Sequence, residues 1–193
     1  METPSKLSSV ERFQLILREA QQSTLYHNYL MMRDWVLMML EENEKHRLNP
    51  SKYWEEEVAG FGYMLDASPL IVKKLREHCY HITGLRSYDY RNHHHHLRGR
   101  FAEKLKALKA QDPIGLLVPE APELGGFGYP IDGVMINLDT LKYYEALIAL
   151  SKAGILGGLF GAGAGRRIVL EIGGGWGGFA YHLKSLYPEV TYV

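Results

Sequence analysis

Apolar residues recur at three- and four-residue spacings through the first 110 positions, broken by short polar segments that carry helix-start chemistry. Ser8 or Ser9 can cap a helix from Val10 to about Ser23, with Phe13, Leu15, Ile16 and Leu17 apolar. Tyr26 to His46 reads as a second helix, ended by Asn49-Pro50. Ser51 can cap a third, from Lys52 to about Met64. Its early turns hold Glu55, Glu56 and Glu57, which suit the positive end of a helix. Ser68-Pro69 places a cap before a proline at the first helical position. It predicts a fourth helix through Leu70, Val72, Leu75 and Cys79 to about Ile82, stopped by Thr83-Gly84. A fifth is predicted from about Arg100 to Ala110. Tyr26, Tyr29, Met32 and Val36 fall at helical spacings and read as packing or a dimer face. Cys79 falls on the buried face of the fourth helix and reads as a core residue.

After position 110 the pattern changes. Gln111 to Pro130 holds four prolines and four glycines and reads as a loop or hinge. Asn137-Leu138-Asp139 opens a helix through Leu141, Tyr144, Leu147 and Leu150, closed by Gly154. Gly157 to Arg166 reads as a loop. The run Arg167 to Ile172 is short, mostly apolar and set between two glycine clusters, as a buried parallel strand would be. Trp176 to Leu186 is a predicted helix with Pro188 just past its end, and Val190 to Val193 begins a second strand.

Charge and glycine content reinforce this division. Residues 1–110 carry 17 of the 22 Lys+Arg and 14 of the 22 Asp+Glu but only 4 of the 20 glycines. Helices exclude glycine because each one in their interior costs about 1 kcal/mol relative to alanine. Zero net charge over 193 residues argues against a dedicated nucleic-acid binder. A single cysteine excludes an intrachain disulfide framework and a cysteine-built zinc site. Met1 to Val10 has no apolar core of a secretory signal, and no apolar run approaches the roughly 20 residues of a membrane span. A soluble, cytoplasmic protein is expected.

The chemistry concentrates at Glu171-Ile172-Gly173-Gly174-Gly175-Trp176-Gly177-Gly178. The order is strand, acid, glycine loop, helix. A parallel strand delivers such a loop to the sheet edge where ligands bind. Glycines permit close approach of a cofactor, and the following helix offers unpaired N–H groups. Glu171 is ill placed beside a pyrophosphate and suits a cofactor bearing an ammonium group. The spacing also fits a dinucleotide fingerprint at Gly173, Gly175 and Gly178, so the glycines alone leave both cofactors open. Gly161 to Gly165 precedes the strand instead of following it and reads as a connector.

Glu171, Gly173, Gly175 and Gly177 resemble the first motif of S-adenosylmethionine-dependent methyltransferases. The blocks Gly128 to Leu150 and Leu170 to Val193, with Tyr53-Trp54 and His81 to Leu85 more loosely, are similar to the sugar O-methyltransferase family. Cyclopropane-fatty-acid synthases are similar at Gly-Trp-Gly-Gly but not in the upstream block. The family resemblance implies an α/β fold: a helical N-terminal region, then the start of a doubly wound Rossmann-like sheet, truncated after its first βα unit. Segments 1–110 (helical), 111–165 (linker and helix) and 166–193 (incomplete cofactor domain) are expected. The resemblance further implies S-adenosyl-L-methionine as cofactor and a sugar or nucleotide-sugar substrate. Gly173, Gly174 and Gly175 would run beside the methionyl and ribose parts, with Gly177 completing the motif and Glu171 facing the methionyl ammonium. Asn137 and Tyr143 would either cover the cofactor or simply cap and pack their helix. The family's acidic residue after the second strand, and any catalytic base, are expected beyond Val193. This chain alone is therefore expected not to methylate.

Other candidates are weaker. His93 to His96, with Arg86, Arg91, Arg98 and Arg100 around them, read first as a solvated loop and second as an anion site for a phosphorylated sugar. His182 is expected to be exposed, and no catalytic residue or metal ligand is assignable. Two other readings stay open: an NAD(P)-dependent oxidoreductase fragment, and a helical interaction module that forms homo-oligomers without catalysis.

Overall fold

Serine side chains cap several helices of the front half. Ser8 accepts from the Glu11 amide while the Glu11 carboxylate accepts from the Ser8 amide, a reciprocal box that opens α1, Ser9–Gln21. Ser23 accepts from the Tyr26 amide and opens α2, Thr24–Lys45. Ser51, expected to cap the third helix, holds the N-cap position of α3, Lys52–Phe61, but makes no side-chain cap bond, and α3 tightens into a 3-10 turn over Gly62–Asp66. These observations come from a computed structural model that describes residues 7–46, 51–78, 80–91, 96–160 and 167–193. Cys79, His93 to His95 and the Gly161 to Gly165 connector lie outside the described residues.

The predicted fourth helix is instead interrupted at Lys73-Lys74: α4, Pro69–Val72, ends there, and the helical residues resume as α5, Leu75–His78, and α6, Tyr80–Thr83, on either side of Cys79. Ser68 caps the first of them through the Ile71 amide. The break comes at Lys73-Lys74, where the Lys74 amide reaches the Ile71 carbonyl at 2.9 Å and the Glu77 amide reaches Lys74 at 2.9 Å. Those are three-residue bonds, which tighten the chain and end regular α-helix. Adjacent β-branched Ile71 and Val72 give the helix little support there.

The described residues form two compact units. The first takes in the chain up to His81 with Glu123–Gly125. In it α1 and α2 pack on each other and on α4. Tyr29 ties α2 to the segment after α3: its hydroxyl donates to the Met64 carbonyl at 2.9 Å and accepts from the Ala67 amide at 2.7 Å. Tyr26 stacks on Tyr29 with centroids 5.7 Å apart. Met32, expected to pack with them, is exposed.

The second unit comprises Ile82–Pro122 and Gly126–Val193. It holds a 3-10 turn over Ser87–Tyr90, α7 (His96–Lys109), a hairpin of β1 (Tyr129–Ile131) and β2 (Val134–Ile136), and α8 (Leu138–Lys152). It continues with α9 (Ile155–Phe160), β3 (Ile168–Val169), α10 (Gly178–Leu186) and β4 (Thr191–Tyr192). The hairpin and α9 replace parts of predicted loops. Asp132 (φ 50°) and Gly133 (φ 78°) make the two-residue turn, whose left-handed pair matches strand twist. The core sits between α7, α8, α10 and the hairpin, on Leu105, Ile136, Leu141, Tyr144, Leu147 and Leu183. Thus the described residues are mostly helical, with four short strands. None of their helices is long and apolar enough to cross a membrane.

Strands β3 and β4 pair in parallel, joined through α10. The Thr191 amide donates to Arg167, Val193 to Val169 and Glu171 to Val193, at 2.8–3.0 Å. The expectation of a fully buried strand needs correction. Val169 packs against the core, but Ile168, Leu170 and Ile172 on the alternate face are 60%, 69% and 91% exposed. Alternation puts one face of any strand away from a one-sided core.

Asp112 fastens the loop that leads from α7 toward the hairpin. Its carboxylate accepts from the amides of Ile114, Gly115 and Leu116 and from the Tyr144 hydroxyl, at 2.6–3.1 Å. Burial pushes its pKa up, but the Tyr144 hydroxyl and the three amides outweigh burial and hold it below the usual value. A lowered folded pKa stabilises above the unfolded value, about 3.9, and that contribution is lost as pH falls through the folded pKa. In urea denaturation, the stability gap between the wild-type chain and Asp112→Asn is therefore expected to be full at pH 7 and to narrow below about pH 4. A gap constant down to pH 3 would assign the carboxylate's charge no role.

Candidate functional site

The glycine loop follows β3 and enters α10. Gly173, Gly175 and Gly177 take φ of 76°, 57° and 79°, so every second residue is left-handed. Side chains carrying a Cβ rarely adopt that region, which explains the spacing without any appeal to a ligand. The other two glycines are set by space. A Cβ at Gly174 would lie 3.1 Å from a Glu171 carboxylate oxygen. At Gly178 it would lie 2.6 Å from both the Trp176 and Tyr143 rings. Gly178→Ala is thus expected to cost about 1–3 kcal/mol by overpacking, measured by denaturant unfolding, and to shift Trp176 fluorescence. An unchanged midpoint would mean the rings give way freely.

Two long-range hydrogen bonds hold the loop. Trp176 donates from Nε1 to a carboxylate oxygen of buried Asp139, 3.1 Å away, on the first turn of α8. Tyr192 on β4 donates to Glu171 at 2.7 Å, fixing that carboxylate at the end of β3. Burial raises the Tyr192 pKa, and the Glu171 carboxylate raises it further, so the hydroxyl stays protonated and donating. Between these two anchors lies a cavity of about 420 Å³. Its walls are Ile82, Thr83, Asp139, Lys142, Tyr143 and Glu171, then Gly173, Gly174, Gly175, Trp176 and Phe179. That volume lies within the roughly 300–1,000 Å³ of small-molecule sites. Two carboxylates and one lysine line it, and Lys142 Nζ sits 5.2 Å from the Tyr143 ring centre.

The expected residues distribute as follows. Glu171, Gly173, Gly174 and Gly175 line the cavity, whereas Gly177 serves as the N-cap of α10. Tyr143 lines it too, between the rings of Trp176, Phe179 and His182. Asn137 instead caps α8 through the Thr140 amide and is fully buried. His182, expected at the surface, is also fully buried. It faces α8, its Nδ1 donates to the Gly178 carbonyl at 2.8 Å, and its ring lies against Tyr143 and Tyr181. Asp139, Lys142 and Tyr192 carry no spacing signal. They reach the site from 21 to 37 residues away, by helix and strand packing alone.

The arginines near the histidine run do not converge. Arg98 donates to the Pro130 carbonyl at 2.9 Å, and the Arg91 guanidinium lies 5.1 Å from the Tyr88 ring centre. Arg100 lines a different cavity. Among the described residues no group of three His, Cys, Asp or Glu side chains converges on a point that could hold a metal ion. No protein-family model, curated protein or solved structure matches the chain.

Proposed function

We propose that the cavity at Glu171 and the glycine loop binds S-adenosyl-L-methionine and that the fold serves O-methyl transfer to a sugar hydroxyl. The observation that carries the reading is the carboxylate at the strand end. Glu171 is clamped by Tyr192 on the wall of a cavity whose other anion is Asp139. An acidic wall suits a cofactor with an ammonium and a sulfonium, and repels a pyrophosphate. Glu171 would hold the ammonium, while the Gly173 to Gly175 backbone would lie along the methionyl and ribose parts. The Asp139–Trp176 bond would keep the loop in place. When bound, the cofactor supplies an electrophilic methyl for in-line displacement by a hydroxyl oxygen, and the chain's part is alignment.

The parallel pair β3 and β4 joined through α10 supports a doubly wound arrangement. So does the apolar outer face of Ile168, Leu170 and Ile172, the kind of face helices cover in such sheets. The dinucleotide reading keeps one point in its favour: Gly178 has no room for a side chain, as the third glycine of that fingerprint requires. The interaction-module reading rests on α2, where no described residue is buried and Met31, Trp35 and Met38 are exposed.

Calorimetric titration separates the three. The proposal expects heat of binding with S-adenosylhomocysteine and none with NAD. Binding of NAD alone would transfer the site to the oxidoreductase reading. A stable oligomer that binds neither would leave the interaction module.

A further inference from the structure

A second cavity, about 630 Å³, is larger than the glycine-loop cavity and lies wholly within the second unit. Leu85, Tyr90, Leu97, Phe101, Leu138 and Leu141 give it an apolar wall, and Asp89, Arg100 and Lys104 supply its charges. In two segments its lining residues are close sequence neighbours of those lining the glycine-loop cavity. Ile82 and Thr83 line one cavity and Leu85 the other. On α8, Asp139, Lys142 and Tyr143 line one, and Leu138 and Leu141 the other.

The aromatic part is rigid. Tyr90 meets Phe101 edge to face at 5.9 Å, and both pack on Tyr129, at 5.1 and 5.3 Å. The Tyr90 hydroxyl accepts from the Leu138 amide at 3.1 Å, so the ring cannot swing away. Ring faces are electron-rich and attract the C–H groups of an apolar or carbohydrate face. Arg100 and Lys104 are four residues apart on α7 and share a helix face. Their charge is balanced locally: Lys104 pairs with Glu145 at 2.5 Å, and Asp89 stands in the same lining as Arg100. Two cations against two carboxylates do not make a phosphate site. They do provide donors and acceptors for hydroxyl groups.

We infer that this cavity is the acceptor site and that it takes an uncharged glycoside bearing an apolar or aryl group, not a nucleotide-sugar. The inference rests on the methyl-transfer reading for the role of acceptor, but the binding claim stands on the cavity alone. The sugar face lies on the aromatic platform, its hydroxyls meet Asp89 and Arg100, and the apolar group fills the leucine-lined remainder.

Binding of a panel of uncharged 4-nitrophenyl hexopyranosides, of UDP-glucose and of S-adenosylhomocysteine is measured on the 193-residue chain and three variants. The expected result is that at least one aryl glycoside binds more tightly than UDP-glucose. Leu138→Gln and Asp89→Asn each weaken it at least fivefold, and Glu189→Gln, an exposed position that lines neither cavity, leaves it within twofold. Leu138 and Asp89 are exposed, so these variants do not depend on core integrity, and circular dichroism checks their folding. Tighter binding of UDP-glucose would overturn the inference in favour of a phosphorylated acceptor, and no binding by the whole panel would overturn it outright. Aryl-glycoside binding without S-adenosylhomocysteine binding would keep the cavity and defeat the methyl-transfer reading, and the reverse pattern would do the opposite.

Discussion

Asn137→Ala is expected to destabilise the chain by about 3 kcal/mol, more than any exposed substitution. The residue is fully buried and its side-chain amide is used on both sides. Its oxygen accepts from the Thr140 amide at 2.9 Å and the Thr140 hydroxyl at 3.1 Å. Its nitrogen donates to buried Glu120 at 2.7 Å and to the Phe127 carbonyl at 2.8 Å. One side chain thus caps α8 and fastens two loop segments to the end of β2. Loss of the cap costs about 1 kcal/mol, and loss of a donor to a buried carboxylate about 1.5–3 kcal/mol. Asn137→Asp keeps the cap acceptor but sets a carboxylate against Glu120, so it should be no better than alanine. At roughly 2–4 °C per kcal/mol for a chain of this length, the alanine variant should melt about 6–12 °C lower. A fall of under 2 °C would show that the network is dispensable.

Glu171→Gln is expected to weaken S-adenosylhomocysteine binding by about 10–100-fold, the equivalent of a charged hydrogen bond worth about 1.5–3 kcal/mol. The variant keeps the size and an acceptor for the Tyr192 hydroxyl and removes only the charge. Tyr192→Phe removes the clamp and leaves the charge, so its effect should be smaller, at most about tenfold. The order of the two variants carries the argument. Were Tyr192→Phe the more damaging, loop geometry rather than charge would govern binding. NAD should respond in the opposite sense to Glu171→Gln, because removing a carboxylate relieves repulsion of its phosphates.

How far these features could be read from the chain depends on the range of the interactions that make them. Local chemistry was legible. Ser8, Ser68 and Asn137 cap the helices they were expected to cap, because capping acts within three residues. The left-handed glycines at 173, 175 and 177 likewise follow from residue type. Tertiary features were not. The β1–β2 hairpin has strands of three residues, too short to show alternation, although Asp132-Gly133 between apolar residues is a hairpin signal. The fourth helix breaks at Lys73-Lys74 without proline or glycine to mark it. His182 was misplaced because a nine-residue helix offers too little periodicity to orient it, and packing on α8 decides. Asp139 and Tyr192 enter the site through bonds spanning 37 and 21 residues, which no motif encodes.

The central claim is that Glu171 and the glycine loop form a site for a cationic cofactor. Amide and indole N–H chemical shifts of the isotope-labelled chain, followed during titration with S-adenosylhomocysteine and separately with NAD, test it most directly. The account expects saturable shifts at Gly173, Gly174, Gly175 and the Trp176 indole with S-adenosylhomocysteine and none there with NAD. Shifts at those positions with NAD alone, or S-adenosylhomocysteine shifts confined to other residues, would contradict it.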